Sequence, residues 1–361
     1  MKKILFHAIY SLLVLMVCII SLFFIPFVKT FNRLINFNFG NDSGYTYNKM
    51  ASYQYRENQY WDITNFPEKY INKPGYYYVD FIIKLNKFPY RITVNEEFND
   101  FTPGGILGMG CSFLFGEEIN QEDTLLYKTS TMLGVPSYNF AVGSYSLCSM
   151  ILRLKDLEQN GTFKLLKPKV ILVGIGNWQF GRSINPFIPS DFETLQTTYQ
   201  YLKKMNGKVS ISNDYGLFSI KYGYQLRDAC LKNKNTLLYY FLCFANTPRF
   251  MLSSIVYKFT YANQYYLNKI YNSITAYEVY DYAIREFIKI SKRENVKLVI
   301  IWLPHTSYSE LTTINPDFVE IMHKYKDDLY FCNVNNYFAK HGFPAEDIGR
   351  RHPGIKTNEI E

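Results

Sequence analysis

Apolar and polar positions divide this chain into three regimes. Residues 4–28, ILFHAIYSLLVLMVCIISLFFIPFV, are almost continuously apolar and long enough to cross a bilayer as one helix. Residues 29–103 are polar, aromatic and weakly periodic, the pattern of a stalk or an irregular lead-in. From residue 104 short apolar runs alternate with helical spacing. Ile106–Met109 is a buried strand, and EDTLLYKTSTMLG has helical periodicity ending on Gly134. VPSYNFAV is a second strand, after which SLCSMILRLKDLEQNG places Leu147, Met150, Ile151, Leu154 and Leu157 on one helical face. Val170–Ile175, in KPKVILVGIGNW, is apolar on both faces, as a central parallel strand is. The alternation is lost over about 181–275, where a helical insertion is predicted; the apolar run 237–245 within it is about half a membrane span. It then resumes with the helix AYEVYDYAIREFIKISKREN and the strands VKLVIIWLP and LYFCNV.

Strand, helix, strand, helix, strand at this spacing predicts an α/β fold, a three-layer doubly wound parallel sheet of the flavodoxin-like kind. The expected organisation is a transmembrane signal anchor over 1–28, a stalk or lead-in over 29–103, and an α/β domain over 104–361 interrupted by the insertion.

Composition narrows the function. With 361 residues, 48% of them hydrophobic, the chain can bury a sizeable core. The net charge of +8 is spread along the chain rather than gathered in a stripe, which gives no nucleic-acid footprint. The 33 tyrosines, many in polar segments such as SGYTYNKMASYQYRENQYW, suit carbohydrate or interface contacts, although biased codon usage gives the same pattern. Six cysteines at 18, 111, 148, 230, 243 and 332 contain no CxxC pair, so neither a disulfide framework nor a metal site is expected. The N-terminal run lacks a small-x-small cleavage site, which predicts an uncleaved, single-pass anchor. Lys2 and Lys3 would stay inside the cell inner membrane and the domain would lie on its periplasmic or extracytoplasmic side, with Lys29 and Arg33 on the far flank pulling against that orientation. A membrane protein partner fits the same topology.

In an open α/β sheet ligands bind beyond the carboxyl ends of the strands. The residues placed there are Gly110-Cys111-Ser112, Gly143-Ser144, Gly176-Asn177 and His305, and Asp347 and His352 can fold back to the same edge. A nucleophile, a histidine to take its proton, a carboxylate to orient that histidine and donors for an oxyanion are the parts of an acyl-transfer site. In GGILGMGCSFLFGEEI two nucleophiles stand side by side, Cys111 and Ser112. Ser is also a favoured helix cap, and most buried cysteines are packing groups.

These stretches resemble the SGNH, or GDSL-type, hydrolase superfamily. GMGCSFLFGEEI is similar to its first block, with Cys111 where relatives carry Asp and Ser112 in the nucleophile position. YNFAVGSYS matches the second block at Gly143, VGIGNWQF the third at Asn177, and EDIGRRHPG the last at His352-Pro353. The resemblance covers roughly 104–180 and 277–361. It implies a catalytic set of Ser112, His352 and Asp347, with the oxyanion held by the N–H groups of Ser112 and Gly143 and the Asn177 amide, and no cofactor. Relatives place the acid three residues before the histidine, whereas Asp347 stands five before it and Gly349 fills the expected place. Asp347 reaching across a longer loop, Glu346, or a backbone carbonyl are the three candidates for that role.

Two functions fit. One is a membrane-anchored serine esterase or O-acyltransferase acting on an acylated carbohydrate, such as cell-envelope glycan, or on a small ester. The other is a non-catalytic protein of the same fold that binds glycan or a membrane partner.

Overall fold

The computed structural model describes Phe24, Val28, Lys340, the strand residues 45–48, 52–55 and 60–62, and the stretches 82–93, 95–97, 101–117, 119–143, 145–184, 200–212, 274–303 and 314–334. The chain divides into two compact units, one of residues 1–43, 187–198 and 216–263, the other of 44–186, 199–215 and 264–361. Of the first unit Phe24 and Val28 are described, both helical and exposed; the rest of the expected span 4–28 lies outside the described residues. Among the described residues no helix is long and apolar enough to cross a membrane.

In the second unit β1 (Tyr45–Asn48) and β2 (Ser52–Tyr55) form a two-stranded antiparallel sheet. Then come β3 (Tyr60–Asp62), β4 (Ile82–Leu85), β5 (Arg91–Ile92) and β6 (Ile106–Met109). A single turn, α1 (Ser112–Phe115), is followed by α2 (Leu125–Met132), β7 (Ser137–Asn139), α3 (Leu147–Gln159) and α4 (Thr162–Leu166). β8 (Val170–Ile175) leads to α5 (Trp178–Ile184) and the hairpin β9 (Tyr201–Met205) and β10 (Lys208–Ser212). The described chain finishes with α6 (Ala276–Arg293), β11 (Lys297–Trp302), α7 (Pro316–Lys324) and β12 (Tyr330–Asn333).

One sheet of eight strands runs in the order β12-β11-β8-β6-β7-β5-β4-β3. β12, β11, β8, β6 and β7 are mutually parallel, whereas β7–β5, β5–β4 and β4–β3 are antiparallel. From β6 the chain moves one way to β7, then hops back over β6 to β8 and continues to β11 and β12. The crossovers run in opposite directions from β6, and α3 and α7 both pack on α6; right-handed connections then place α2 on one face of the sheet and α3, α6 and α7 on the other, in three layers. The reversal beside β6 is the topological switch point.

Local chemistry sets the helix limits. The Thr124 hydroxyl accepts the Tyr127 N–H at 3.3 Å to start α2, and Gly134 follows the helix at φ 63°. Ser146 starts α3 in the same way. α6 opens with a reciprocal box between Thr275 and Glu278. Leu147, Met150, Ile151, Leu154 and Leu157 of α3 are all buried, as are Val279, Tyr280, Ala283, Ile284 and Phe287 of α6. The Leu, Ile, Met, Val and Phe side chains among them stabilise by about 1.5–3 kcal/mol each when fully buried. Phe318 of α7 lies against the rings of Trp302 at 4.7 Å, Tyr280 at 5.0 Å and Phe331 at 5.7 Å, joining α7 to α6 and the outer strands.

Two expectations are corrected. The sheet is mixed, because β3, β4 and β5 from the lead-in extend it antiparallel beyond β7; that part of 29–103 is sheet rather than stalk. The pairing covers what would otherwise be an open strand edge. Within the expected helical insertion, 201–212 is a β-hairpin turned by Asn206 and Gly207 at φ 50° and 73°. Asn-Gly is the favoured pair for a two-residue turn whose central residues are both left-handed.

Candidate active site

All four residues of β6 are buried, and the strand ends at Gly110. Cys111 is extended, with φ −99° and ψ −162°, and the chain enters α1 at Ser112. The Phe115 and Gly116 N–H groups donate to the carbonyls of Cys111 and Ser112, each at 3.0 Å, and Gly116 at φ 75° ends the turn. The N-cap position is therefore held by Cys111, and Ser112 is the first helical residue, 7% exposed. Gly110 lets the turn fold back tightly: a Cβ there would stand 2.7 Å from the Leu114 Cβ.

The second block is brought alongside by backbone bonds. Beyond β7 the Phe140 N–H donates to the Gly108 carbonyl at 2.9 Å and the Val142 N–H to the Gly110 carbonyl at 3.1 Å. Gly143 thus follows directly on the residue bonded to Gly110, beside the turn of Cys111 and Ser112.

On the other side β6 pairs with β8, Met109 opposite Val173. After β8 the Gly176 N–H donates to Gln179 Oε1 at 2.6 Å, and Gln179 Nε2 returns to the Gly174 carbonyl at 3.3 Å. This fully buried glutamine fixes the turn that carries Asn177, which is itself half-buried. Trp178 Nε1 donates to Cys111 Sγ at 3.4 Å, and its ring lies 4.4 Å from that of Phe113. A Cβ on Gly176 would sit 2.3 Å from the indole, so this ring position requires glycine. The turns of Ser112, Gly143 and Asn177 therefore follow three neighbouring parallel strands. The N–H groups of a first helical turn have no partner within their own helix, which suits Ser112 N–H to meet a developing oxyanion.

Asp347, Glu346, His352 and His305 lie outside the described residues, so the proton-transfer half of the expected triad carries no geometry. Among the described residues no group of three or more His, Cys, Asp or Glu is arranged to hold a metal ion.

Sequence reasoning passed over Arg91, Asn139, Trp178 and Gln179. Arg91 and Asn139, both fully buried, send hydrogen bonds into the carbonyl end of α1. Their signal is a polar residue inside an apolar strand run, in FPYRITV and VPSYNFAV.

Fold and turns together define an α/β protein with a mostly parallel sheet and its glycine-bearing turns gathered at the carboxyl edge. The structure is similar to those of lipolytic proteins of the G-D-S-L family and of esterases. A lipolytic protein of that family from Veillonella parvula aligns at TM-score 0.35 and 9% identity, over 71% of this chain and 93% of its own. TesA aligns at TM-score 0.34 and 8% identity, over 71% of this chain and 92% of its own. A variant of an acetyl xylan esterase from Geobacillus stearothermophilus aligns at TM-score 0.33 and 9% identity, over 71% and 89%. No protein-family model matches the chain, and no curated protein sequence matches it.

Proposed function

We propose that this chain is a serine hydrolase of the SGNH type, anchored through residues 4–28 in the inner membrane, that cleaves or transfers an O-acyl, acetyl-like ester. The observation that carries the reading is the gathering of the Ser112, Gly143 and Asn177 turns at one edge of the parallel sheet, where ligands bind in such folds.

In this reading Ser112 Oγ attacks the ester carbonyl carbon while His352 takes its proton. Asp347 orients the imidazole and stabilises the imidazolium. The N–H groups of Ser112 and Gly143 and the Asn177 amide hold the oxyanion; such donors contribute about 2.7–4 kcal/mol each. Collapse of the intermediate expels the alcohol, which takes the proton from His352, and leaves an acyl-Ser112. Water then releases the acid, or a sugar hydroxyl accepts the acyl group. Acylated cell-envelope glycan as substrate rests on the anchor and on the sequence resemblance.

The spacing of Asp347 and His352 favours a second reading, a binding protein that keeps the fold without the chemistry. A generic acetyl ester separates the two. Turnover by the wild type that is lost in Ser112→Ala excludes the binding-only reading; absence of turnover in both overturns the hydrolase.

A further inference from the structure

Arg91 and Asn139 face each other across the antiparallel pairing of β5 and β7, and both side chains end on the backbone of α1. Asn139 Nδ2 donates to the Leu114 carbonyl at 3.1 Å and the Phe115 carbonyl at 3.3 Å. Arg91 Nη1 donates to the carbonyls of Phe115 at 2.8 Å and Gly116 at 2.6 Å, and Nη2 to that of Ile119. The guanidinium carbon also lies 5.0 Å from the centre of the Phe115 ring.

We propose that Arg91 and Asn139 are positioning residues that hold the single helical turn bearing Ser112, an inference that rests on the serine-hydrolase reading above. A lone turn is a poor structure on its own. Closing it fixes several backbone dihedrals in return for very few hydrogen bonds, so it needs support from outside. Its last carbonyls have no helical partner, and each one buried unsatisfied costs about 1–3 kcal/mol. Here the carbonyls of Leu114, Phe115, Gly116 and Ile119 are all met by these two side chains.

The residue types suit the task. Arginine is always charged, and a cation at the carbonyl end of a helix is favoured by the dipole of the turn. Its planar fork reaches three carbonyls in a fixed geometry, which the point charge of lysine cannot reproduce. A buried guanidinium needs compensation, and the converging carbonyls supply it. Asn139 also accepts the Ala141 N–H on Oδ1 at 3.3 Å, within the stretch that runs on to Gly143. One amide thus links the nucleophile turn to the neighbouring donor turn.

Loosening the end of a four-residue helix tilts its first residue as well. A displacement of about 1 Å at a reacting group can cost about a hundredfold in rate. The pair therefore acts on kcat through the aim of Ser112, and makes no contact with substrate. It also makes β5, delivered by the lead-in, part of the machinery of the domain.

The test uses the full chain and the variants Arg91→Lys and Asn139→Ser. It measures kcat and KM on a generic acetyl ester, the rate at which a fluorophosphonate labels Ser112, and thermal unfolding. For folded Arg91→Lys the expected result is a kcat about 10- to 100-fold lower with KM within about twofold of wild type, and a labelling rate that falls in parallel. Asn139→Ser carries the same expectation and takes over where Arg91→Lys does not fold. Variants that fold and keep wild-type kcat and labelling overturn the positioning role while the hydrolase stands. A wild type that fluorophosphonate does not label at Ser112 overturns the hydrolase, and this inference with it.

Discussion

Trp178 donates its indole N–H to Cys111 Sγ at 3.4 Å, joining the turn after β8 to the turn after β6. Cys111, at the Asp position of the first block that the sequence resembles, is thus engaged in a packing and hydrogen-bonding contact. Ser112, one position on, begins the helix. The neighbours should separate on substitution. Ser112→Ala is expected to lower kcat by about a thousandfold or more, whereas Cys111→Ala lowers it less than about tenfold. The thiol's loss should show instead in stability, by about 1–2 kcal/mol in chemical unfolding. The reverse pattern would make Cys111 the nucleophile.

Gly176 is a sensitive point of the third turn. Adding a methyl group 2.3 Å from the Trp178 ring forces the indole away from both Cys111 and Phe113. Gly176→Ala should destabilise by about 1–3 kcal/mol and change the near-ultraviolet dichroism of the aromatic rings. An unchanged spectrum and unfolding midpoint would show that the indole has room to move.

A pH dependence follows from the joint between α6 and α7. Asp281 accepts from Lys324 Nζ at 2.7 Å and Tyr325 OH at 2.8 Å and pairs with Arg285 at 3.0 Å. Burial alone would raise its pKa, but the Lys324 and Tyr325 hydrogen bonds and the nearby cations outweigh burial and lower it. A carboxyl depressed by folding contributes stability above its unfolded pKa and loses it as pH falls through the folded value. Asp281→Asn should therefore cost at neutral pH about 1 kcal/mol or less, because Lys324 and Arg285 are about half exposed and solvent screens the pair. The gap to wild type should narrow below about pH 4, measured by denaturant unfolding at several pH values.

Cys148, in the first turn of α3, should be chemically silent. Burial pushes its thiol up to about 12, against the smaller effect of its hydrogen bonds, and its Sγ–H points to the Ser183 carbonyl at 3.7 Å. Iodoacetamide at about pH 8 should leave it unmodified in the folded chain and alkylate it after unfolding, since only the thiolate reacts. Peptide mass mapping reads the difference.

The periodic elements were legible in the sequence because their signals are local. Every residue of the predicted α3 face is buried, with Cys148, Ser149 and Arg153 buried beside them, and β8 has the predicted limits. Ser112, Gly143 and Asn177 could be placed on turns because each follows an apolar strand. Most of what escaped depended on long-range pairing. β5 is two residues long, too short for any periodic signal, and its place in the sheet is set by Asn139 far along the chain. Arg91 inside FPYRITV looks like a solvated charge until the carbonyl end of α1 is set against it. The β9–β10 hairpin had a local signal, Asn206-Gly207, overshadowed by the lost α/β rhythm around it.

In the proposed mechanism Ser112 is a nucleophile served by His352 from the far end of the chain. The separation of Ser112 Oγ and His352 Nε2 in a crystal of the protein tests it most directly. Hydrogen-bond reach, about 2.6–3.2 Å or somewhat looser without substrate, is the expected result. A gap of about 8 Å or more, too wide for one bridging water, would contradict it.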